Sequence, residues 1–568
     1  MAVNDMAACL MAGSREGPWK RATTSLEPQN VHPTRKEITS QPSTPLRFPP
    51  KRNNFPCRLS SRSLFPFLKW ILNRGIARKL LSSEITSMSN SVKKSPPPGS
   101  YREILSLAYP LILSTASMTV MHFVDRVFLA WYSPTAIAAA TPAGITSFTI
   151  VCFFMGVSQY TTMIVAQYFG AKDNARCGIA TWQGVFFSLA SYGAILLFIP
   201  LGPSIFRWGG HPSEIVELEV SYFSILMWGG GLVPLQSALA GFFTGRGDTK
   251  TTMIANMVGN GVNVVLDYGL IFGKWGLPEM GLPGAALATV LASIVPVVIL
   301  ASLFLREKNN RPFATRRVRF DPSLFKKLLQ YGVPSGLQFF LEIGCFALFV
   351  IIVGRLGEVE LAVTNIALTI DMLAFMPVIG ISIATSTLVG QAMGRKEPDL
   401  AEKTTYSALM MALIYMGFMA MIFILFPDQL LSIFKTRGQG VEDFSIILSH
   451  GRYLLIMVAV YSVFDALGIA FSAGLKGAGD TRFVMWSSVI AGWTLFVPPV
   501  YLTVSVFHGG LILAWVWATL YIVILGLVYF WRFRRGKWKT IDMIGEDREA
   551  ASVQPLPVAM EERFPAEA

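Results

Sequence analysis

The stretch GRGDTK occupies residues 245–250, and a near copy, GAGDTR, occupies residues 477–482. The copies begin 232 residues apart, and each lies between two apolar segments. The glycines permit a tight turn, and Asp248 and Asp480 can cap the helix that follows, so we predict a turn between two helices at each place. A phosphate-binding loop is disfavoured, because the glycine spacing differs from that of nucleotide-binding motifs.

The composition around these turns is that of a membrane protein. The 568 residues are 52% hydrophobic, with a mean hydropathy of +0.49, and only 15% are charged. About a quarter of the residues of a soluble protein of this size are charged. Apolar runs such as 180–201 and 404–426 are long enough to cross a bilayer as helices. We therefore predict an all-α polytopic membrane protein.

The apolar runs between polar breaks predict twelve transmembrane helices. With the N-terminus inside, the inner loops and the C-terminal flank contain 20 Lys and Arg residues, whereas the outer loops contain 5. The positive-inside rule then predicts that both termini are cytoplasmic. The predicted spans are 104–131, 138–165, 178–200, 218–242, 250–273, 281–305, 324–355, 361–390, 404–426, 445–474, 482–505 and 509–532.

Two further landmarks repeat at nearly the same spacing as the turns. VAQYFGAKD at 165–173 matches VGQAMGRKE at 389–397, and Pro110 matches Pro334, both 224 residues apart. Three landmarks in one order predict a duplicated unit of six helices, and two such lobes are related by a pseudo-two-fold axis along the membrane normal. The predicted organisation is a basic tail at 1–98, a first lobe at 99–305, a cytoplasmic inter-lobe loop at 306–323, a second lobe at 324–535 and a cytoplasmic C-terminal tail at 536–568.

The basic charge of the chain belongs to its N-terminal tail. Residues 1–100 hold 16 Lys and Arg against 5 Asp and Glu, a net charge of +11 out of +13 for the whole chain. Nucleic acid is therefore not an expected partner of the core. We expect most of the tail to be disordered, with an amphipathic basic segment at 63–81 suited to a membrane surface or to targeting. Translation from Met88 is the alternative.

Ionisable groups inside predicted spans are costly and are therefore functional candidates. In the first lobe, Asn263 and Asp267 are spaced i,i+4 and share one face of helix 5, which Asn256 and Asn260 extend. Together with Asp125 of helix 1 they offer oxygen ligands for Na⁺, or carboxylates that take up a proton. The alternative is a polar cluster that only joins helices. We also place Asn260 among candidate substrate contacts.

The second lobe contains three candidate acids, Glu342, Asp371 and Asp465. Glu342 and Asp465 form the predicted pair, which attracts a cationic substrate or holds Na⁺ or a proton. Asp371 either faces the cavity or pairs with a neighbour. Aromatic and methionine side chains nearby suit flat apolar groups, and the candidate substrate contacts are Phe339, Met372 and Phe375.

Seven stretches resemble the multidrug and toxic compound extrusion (MATE) family, most of all its NorM-type bacterial branch. The resemblance covers roughly residues 100–535. The stretches are FVDRVFLAWYS, VAQYFGAKD, GRGDTK, NVVLDYGLIFG, FLEIG, LVGQAMGRKE and FDALGIAFSAGLKGAGDTR.

The resemblance implies a monomeric transporter of the bacterial inner membrane. It implies export of organic, often cationic, compounds in exchange for Na⁺ or H⁺, with no other cofactor. The family's first-lobe acid falls on Asp125 with helix 5 partners Asn263 and Asp267, and its second-lobe acids fall on Glu342 and Asp465. Arg126 departs from the small or hydroxyl residue expected after the helix 1 acid, which leaves the choice of ion open.

Two other functional classes fit the sequence less well. A flippase of lipid-linked sugars shares this architecture, but its cavity should be basic to hold pyrophosphate, whereas the candidate cavity charges here are mainly acidic. A membrane enzyme needs a nucleophile, a metal cluster or a cofactor motif, and the sequence contains no HExxH or GxSxG motif and no clustered His. The five cysteines have no metal-ligand spacing, so we expect no zinc site.

Overall fold

The structure is a computed structural model that describes residues 96–435 and 441–545, without the side chains of 441–443. The predicted tail up to residue 95, its segment at 63–81 and the chain beyond residue 545 lie outside the described residues.

Twelve long helices account for most of the described residues, which contain no strand. Each of the twelve predicted spans falls on one of these helices, with ends that differ by a few residues. The helices are α1 (Tyr101–Tyr132), α2 (Pro134–Gly170), α3 (Asn174–Trp208), α4 (Ser213–Gly245), α5 (Thr249–Phe272), α6 (Leu282–Phe304), α7 (Pro322–Val353), α8 (Glu358–Gly394), α9 (Pro398–Leu425), α10 (Val441–Ala478), α11 (Thr481–Val506) and α12 (Leu511–Arg534).

Eleven of these helices are long and apolar enough to cross a membrane. The remaining one, α5, has 24 residues but falls short in hydropathy. Its deficit has a local cause, because Asn256, Asn260, Asn263 and Asp267 occupy one polar track along it. A helix of this length still spans the hydrocarbon core when its polar face packs against other helices instead of lipid.

α11 departs from regular α-helix geometry. Two π-helical stretches, Ala491–Phe496 and Leu502–Val506, flank Pro498 and Pro499. The prolines have no N–H to donate, so the neighbouring groups adopt i→i+5 bonds.

The two halves of the chain pack in the same way. In the first lobe α1 contacts α5 and α2 contacts α4, while in the second lobe α7 contacts α11 and α8 contacts α10. The lobes meet where α1 packs against α8 and α2 packs against α7 and α8. The contact of α1 with α8 and the contact of α2 with α7 are equivalent in the repeat. A pseudo-two-fold axis between two six-helix lobes produces this pairing.

The end of the helices that carries the repeated turns at 245–250 and 477–482 is called the turn end below. The two lobes contact each other from the middle of these helices to the turn end. Gly170 of α2 lies against the backbone of Gln391 in α8, and Gly394 lies against the backbone of Gln167. The two contacts are repeat-equivalent, because 170 and 394 are 224 apart, like 167 and 391. A Cβ atom at either glycine would overlap a carbonyl oxygen of the other lobe, so only glycine permits this approach.

Both repeated stretches form the predicted turn between helices. Gly247 and Gly479 have positive φ values of 87° and 104°, which glycine adopts without strain. Asp248 caps α5, since its carboxylate accepts from the Thr251 backbone N–H at 3.3 Å. The same prediction for Asp480 is wrong. Its side chain makes no cap hydrogen bond and instead pairs with Arg532 at 2.7 Å, an ion pair in which both partners are charged.

Each repeated turn is bound by a glutamine of the opposite lobe. Gln167 Nε2 donates to the Gly477 carbonyl at 3.2 Å, and Gln391 Nε2 donates to the Gly245 carbonyl at 2.8 Å. The Tyr160 hydroxyl adds a hydrogen bond to the Lys476 carbonyl at 3.0 Å. The repeated stretches of one lobe therefore form hydrogen bonds with those of the other lobe, and these bonds close the turn end.

Candidate functional site

The structure brings together the three coupling residues predicted in the first lobe. Asp267 is 0% and Asn263 1% exposed, on the face of α5 that the i,i+4 spacing predicted. Asp125 of α1 is half-buried and interacts electrostatically with Asp267. Two acids from different helices therefore share one buried region of the first lobe.

This first-lobe group is unusual because it lacks hydrogen bonds. Within residues 96–435 and 441–545, no partner exists for Asp125 Oδ1, for either side-chain polar atom of Asn263, or for either carboxylate oxygen of Asp267. A buried polar group without a partner costs about 1–3 kcal/mol, and more if it is charged. The cluster therefore has unused capacity to bind a cation, a proton or water.

The polar track continues toward the turn end, where its members do have partners. Asn256 Nδ2 donates to Ser114 Oγ at 2.8 Å and its Oδ1 accepts from Gln236 at 2.9 Å. Asn260 Nδ2 donates to Ser117 Oγ at 3.1 Å. This part of the track joins α5 to α1 and α4, as the helix-joining alternative predicted, and the role of Asn260 as a substrate contact stays a prediction.

Tyr222 of α4 belongs to the first-lobe group but was not predicted. It is 6% exposed and interacts electrostatically with Asp125 and Asp267. Nothing in its sequence neighbourhood distinguishes it from other aromatic residues in the spans. Only the packing of α4 against α2 and α6 brings it to the acids.

In the second lobe, Glu342 is held by two hydrogen bonds. Its Oε1 accepts from Gln338 Nε2 at 2.8 Å and from Ser488 Oγ at 2.5 Å. Gln338 and Ser488 are 4% and 2% exposed. The sequence reasoning missed both, although Gln338 lies one helical turn before Glu342, a spacing that would have revealed it.

Asp465 links the other two second-lobe acids. Asp465 interacts electrostatically with Asp371 and Glu342, and Asp371 interacts with the hydroxyl of Tyr461. Asp371 thus pairs with a neighbour, while its place in a substrate cavity stays a prediction. Lys476, which the sequence reasoning counted as a loop charge, lies in the last turn of α10 and interacts electrostatically with Glu342.

The predicted apolar contacts occupy three different environments. Phe339 of α7 packs edge-to-face on Phe148 of α2, with ring centroids 6.4 Å apart, at the seam between the lobes. Met372 is 60% exposed. Phe375 packs on a hydrophobic cluster that contains Val378.

The clusters that bind transition metals in proteins combine several His, Cys, Asp or Glu side chains. In the part of the chain that the structure describes, no group of three or more His, Cys, Asp or Glu side chains could hold a metal ion. The three second-lobe acids thus interact without forming such a cluster.

Two six-helix lobes that each carry acidic side chains within their membrane-spanning helices define an integral multi-pass membrane transporter. The family model described as MatE matches residues 110–269 and 334–502, which is more than half of the chain. The matched stretches begin 224 residues apart, as the repeated landmarks do. The chain belongs to the MATE family.

Curated relatives extend along most of the chain. A probable multidrug resistance protein NorM of Thermotoga maritima is 26% identical over 464 residues, which cover 81% of this chain and 97% of that protein. A probable multidrug resistance protein NorM of Shewanella oneidensis is 25% identical over 395 residues, covering 69% of this chain and 84% of that protein. These relatives support the NorM-type branch that the sequence predicted.

Solved structures share the fold at lower identity. A multidrug resistance MATE transporter of the MOP superfamily in an outward-facing conformation matches with a TM-score of 0.71 and 22% identity, over 80% of this chain and 100% of that one. A MOP superfamily transporter from Pyrococcus furiosus, described as having a binding pocket of reverse polarity, matches with the same values. The two-lobe, twelve-helix fold is thus confirmed.

Proposed function

We propose that this chain is a secondary active antiporter that exports organic, mainly cationic, compounds in exchange for Na⁺ or H⁺. The observation that carries the proposal is the first-lobe group of Asp125, Asn263 and Asp267, with its five unpartnered buried polar atoms. A site that binds and releases a coupling ion needs such unused ligand capacity. The names of the curated relatives support multidrug efflux.

In this proposal the first lobe binds the coupling ion and the second lobe binds the positive charge of the substrate. Glu342 already accepts two hydrogen bonds, whereas Asn263 and Asp267 accept none from the residues that the structure describes. We therefore place the coupling ion first at Asp125, Asn263 and Asp267, and the positive charge of the substrate near Glu342 and Asp465. A Na⁺ or proton at Glu342 and Asp465 is the second choice.

Transport in this proposal proceeds by alternating access. The contacts between the lobes described above lie between the middle of the helices and the turn end, which supports a state closed on that side and open on the other. The charge asymmetry of the loops supports a cytoplasmic turn end, cytoplasmic termini and an orientation typical of the bacterial inner membrane. We propose that one chain, as a monomer, contains the complete path.

A flippase of lipid-linked sugars remains the less favoured candidate. Such a substrate carries a pyrophosphate, which basic residues bind. The acids within the spans of both lobes would instead repel it, although Lys476 interacts electrostatically with Glu342.

The test is transport in liposomes with the purified full chain. A fluorescent organic cation is followed while a Na⁺ or an H⁺ gradient is imposed, in the wild type, Asp125→Asn and Asp267→Asn. Asp248→Asn is the matched control, because it makes the same chemical change at an exposed cap where Asn serves equally well.

We expect one of the two gradients to drive the cation in the wild type and in Asp248→Asn. We expect Asp267→Asn to reduce the driven flux to that of empty liposomes, because the amide can neither neutralise Na⁺ nor take up the proton. Undiminished gradient-driven flux in both Asp125→Asn and Asp267→Asn would refute the assignment of the coupling site.

A further inference from the structure

The segment that follows α12 crosses from one lobe to the other. Residues Lys537–Ile544 are called the strap here, and they begin with one 3₁₀ turn, Lys537–Thr540. Their sequence is KWKTIDMI, which contains four apolar and four polar residues.

The first half of the strap is anchored in the second lobe. Trp538 is 0% exposed, stacks on Phe533 at 4.6 Å between ring centroids, and donates its indole N–H to the Phe533 carbonyl at 2.9 Å. Lys539 forms ion pairs with Asp399 at 3.1 Å and Glu402 at 2.5 Å, both on α9. This end therefore moves with the second lobe.

The second half of the strap is inserted into the first lobe. Met543 and Ile544 are 3% and 1% exposed and belong to a cluster of mostly first-lobe side chains, to which Tyr160 and Ile164 also belong. Ile541, between the two halves, packs on this cluster and on the second-lobe cluster that contains Trp538. Eight residues thus connect the interiors of both lobes.

Met543 also covers the hydrogen bonds that close the turn end. Its Sδ lies 3.2 Å from Gln167 Nε2 and 3.7 Å from the Tyr160 hydroxyl. Those two groups also donate to the carbonyls of Gly477 and Lys476 in the other lobe. A methionine in this position excludes water from the inter-lobe hydrogen bonds, and buried hydrogen bonds are harder to exchange for solvent.

The equivalent segment after α6 behaves differently. The linker between the lobes binds to the first lobe, from which it emerges: Trp182 Nε1 donates to the Thr315 carbonyl at 2.8 Å, and Gln183 Nε2 donates to the Arg319 carbonyl at 2.9 Å. Phe313 of the linker is buried in the same first-lobe cluster. After α12, by contrast, the chain leaves its own lobe, so the crossing of the strap is not a consequence of the repeat.

We propose that the strap is a locking device that holds the cytoplasmic side closed, and that its Met543–Ile544 end must leave the first lobe before that side can open. This inference rests on the alternating access of the proposed function. The second-lobe end continues directly from α12 of its own lobe and carries a stacked tryptophan and two ion pairs, whereas the first-lobe end inserts Met543 and Ile544 into the opposite lobe. The first-lobe end is therefore the one that releases.

The experiment measures the distance between the lobes at the turn end. We attach spin labels to Lys250→Cys and Arg482→Cys, which are exposed and repeat-equivalent positions. Double electron–electron resonance then measures the distance between the labels in the full chain, whose native cysteines are replaced. Met543→Asp places a charge in the apolar cluster, and Thr540→Asp places the same charge at an exposed position of the strap. If Met543→Asp fails to fold, Met543→Ala replaces it in the experiment, because it removes the buried side chain without adding a charge.

We expect Met543→Asp to raise the ratio of long to short distances at least about tenfold over wild type, because a charge in an apolar site costs several kcal/mol. Thr540→Asp should leave the ratio unchanged. A second experiment joins Gln167→Cys to Met543→Cys with a short, cleavable, bifunctional thiol reagent. We expect the cross-link to abolish the long distance, and we expect reduction of the cross-link to restore it.

The outcomes separate the strap from the transport mechanism. If the wild type shows both distances when substrate and gradient are supplied, but neither Met543 variant nor the cross-link changes their ratio, the strap is refuted and alternating access stands. If the wild type shows a single short distance under every gradient and substrate, alternating access and the strap are both refuted.

Discussion

Replacement of Gly170 by alanine should disfavour the state in which the lobes touch at the turn end. A Cβ atom at this position would overlap the carbonyl oxygen of Gln391 and lie 2.8 Å and 2.9 Å from its carbonyl carbon and Cα. These are backbone atoms of α8, so no side-chain rotation relieves the overlap. The helices must separate by moving whole lobes, or the new methyl group remains compressed.

The magnitude follows from two opposing effects. Overpacking by one methyl group costs about 1–3 kcal/mol in a well-packed region. Alanine in place of glycine also stabilises a helix by up to about 1 kcal/mol, but α2 is helical whether the lobes touch or not, so this gain cancels between the two states. The ratio of separated to closed lobes should therefore rise by about 5- to 150-fold.

The assay is the distance distribution between spin labels at Lys250→Cys and Arg482→Cys, compared in three backgrounds. Gly193→Ala is the matched control, because a Cβ atom there meets nothing within 4 Å and the gain in helix propensity is the same. Gly394→Ala tests the repeat-equivalent contact, and we expect it to act in the same direction. If Gly170→Ala and Gly193→Ala have the same distance distribution, the glycine contact does not determine the closed state.

Two further predictions concern charges at the turn end. Arg532→Gln should lower the free energy of unfolding by about 3–5 kcal/mol, because it leaves Asp480, which is only 7% exposed, without its ion-pair partner. Thermal unfolding in detergent measures this loss, and the exposed Arg534→Gln is the control. A clear loss of stability is expected in Arg532→Gln alone. The hydrogen bonds that Lys539 donates to Glu402 and, to a smaller extent, to Asp399 raise the pKa of Lys539 above 10.5, so the contribution of these pairs to stability is fully present below that pH and lost as the pH rises through the raised pKa. Hydrogen exchange in the strap should therefore show unchanged protection between about pH 6 and about pH 9, after correction for intrinsic rates; release on acidification within that range would contradict the assignment.

The predicted site residues show where sequence reasoning succeeds. Asn263 and Asp267 share a buried face because a helix places residues four apart on one side, wherever the helix packs. Their proximity to Asp125 was predicted from chemistry and resemblance, and the packing of α1 on α5 brings it about. Tyr222 and Ser488 could not be predicted in this way, since each reaches its acid from a helix distant in the sequence.

The repeated turns show where the same reasoning fails. Asp248 and Asp480 occupy equivalent places in GRGDTK and GAGDTR, and the sequence predicted one role for both. The structure separates them, because Arg532 of α12 reaches Asp480 and forms an ion pair in place of a cap. An equivalent position in a repeat therefore does not ensure an equivalent contact when the surrounding helices carry different side chains.

The amino-acid sequence by itself determined the membrane-spanning class, the twelve helices, their duplication and the candidate acids, because length, hydropathy and helical spacing are local properties. The tertiary structure alone decided which polar groups remain without partners, which lobe each repeated turn binds and where the strap inserts. Those features depend on contacts between residues hundreds of positions apart, such as Gln167 with Gly477 and Tyr160 with Met543. Such contacts form only when both lobes pack, since no local pattern encodes which surfaces meet.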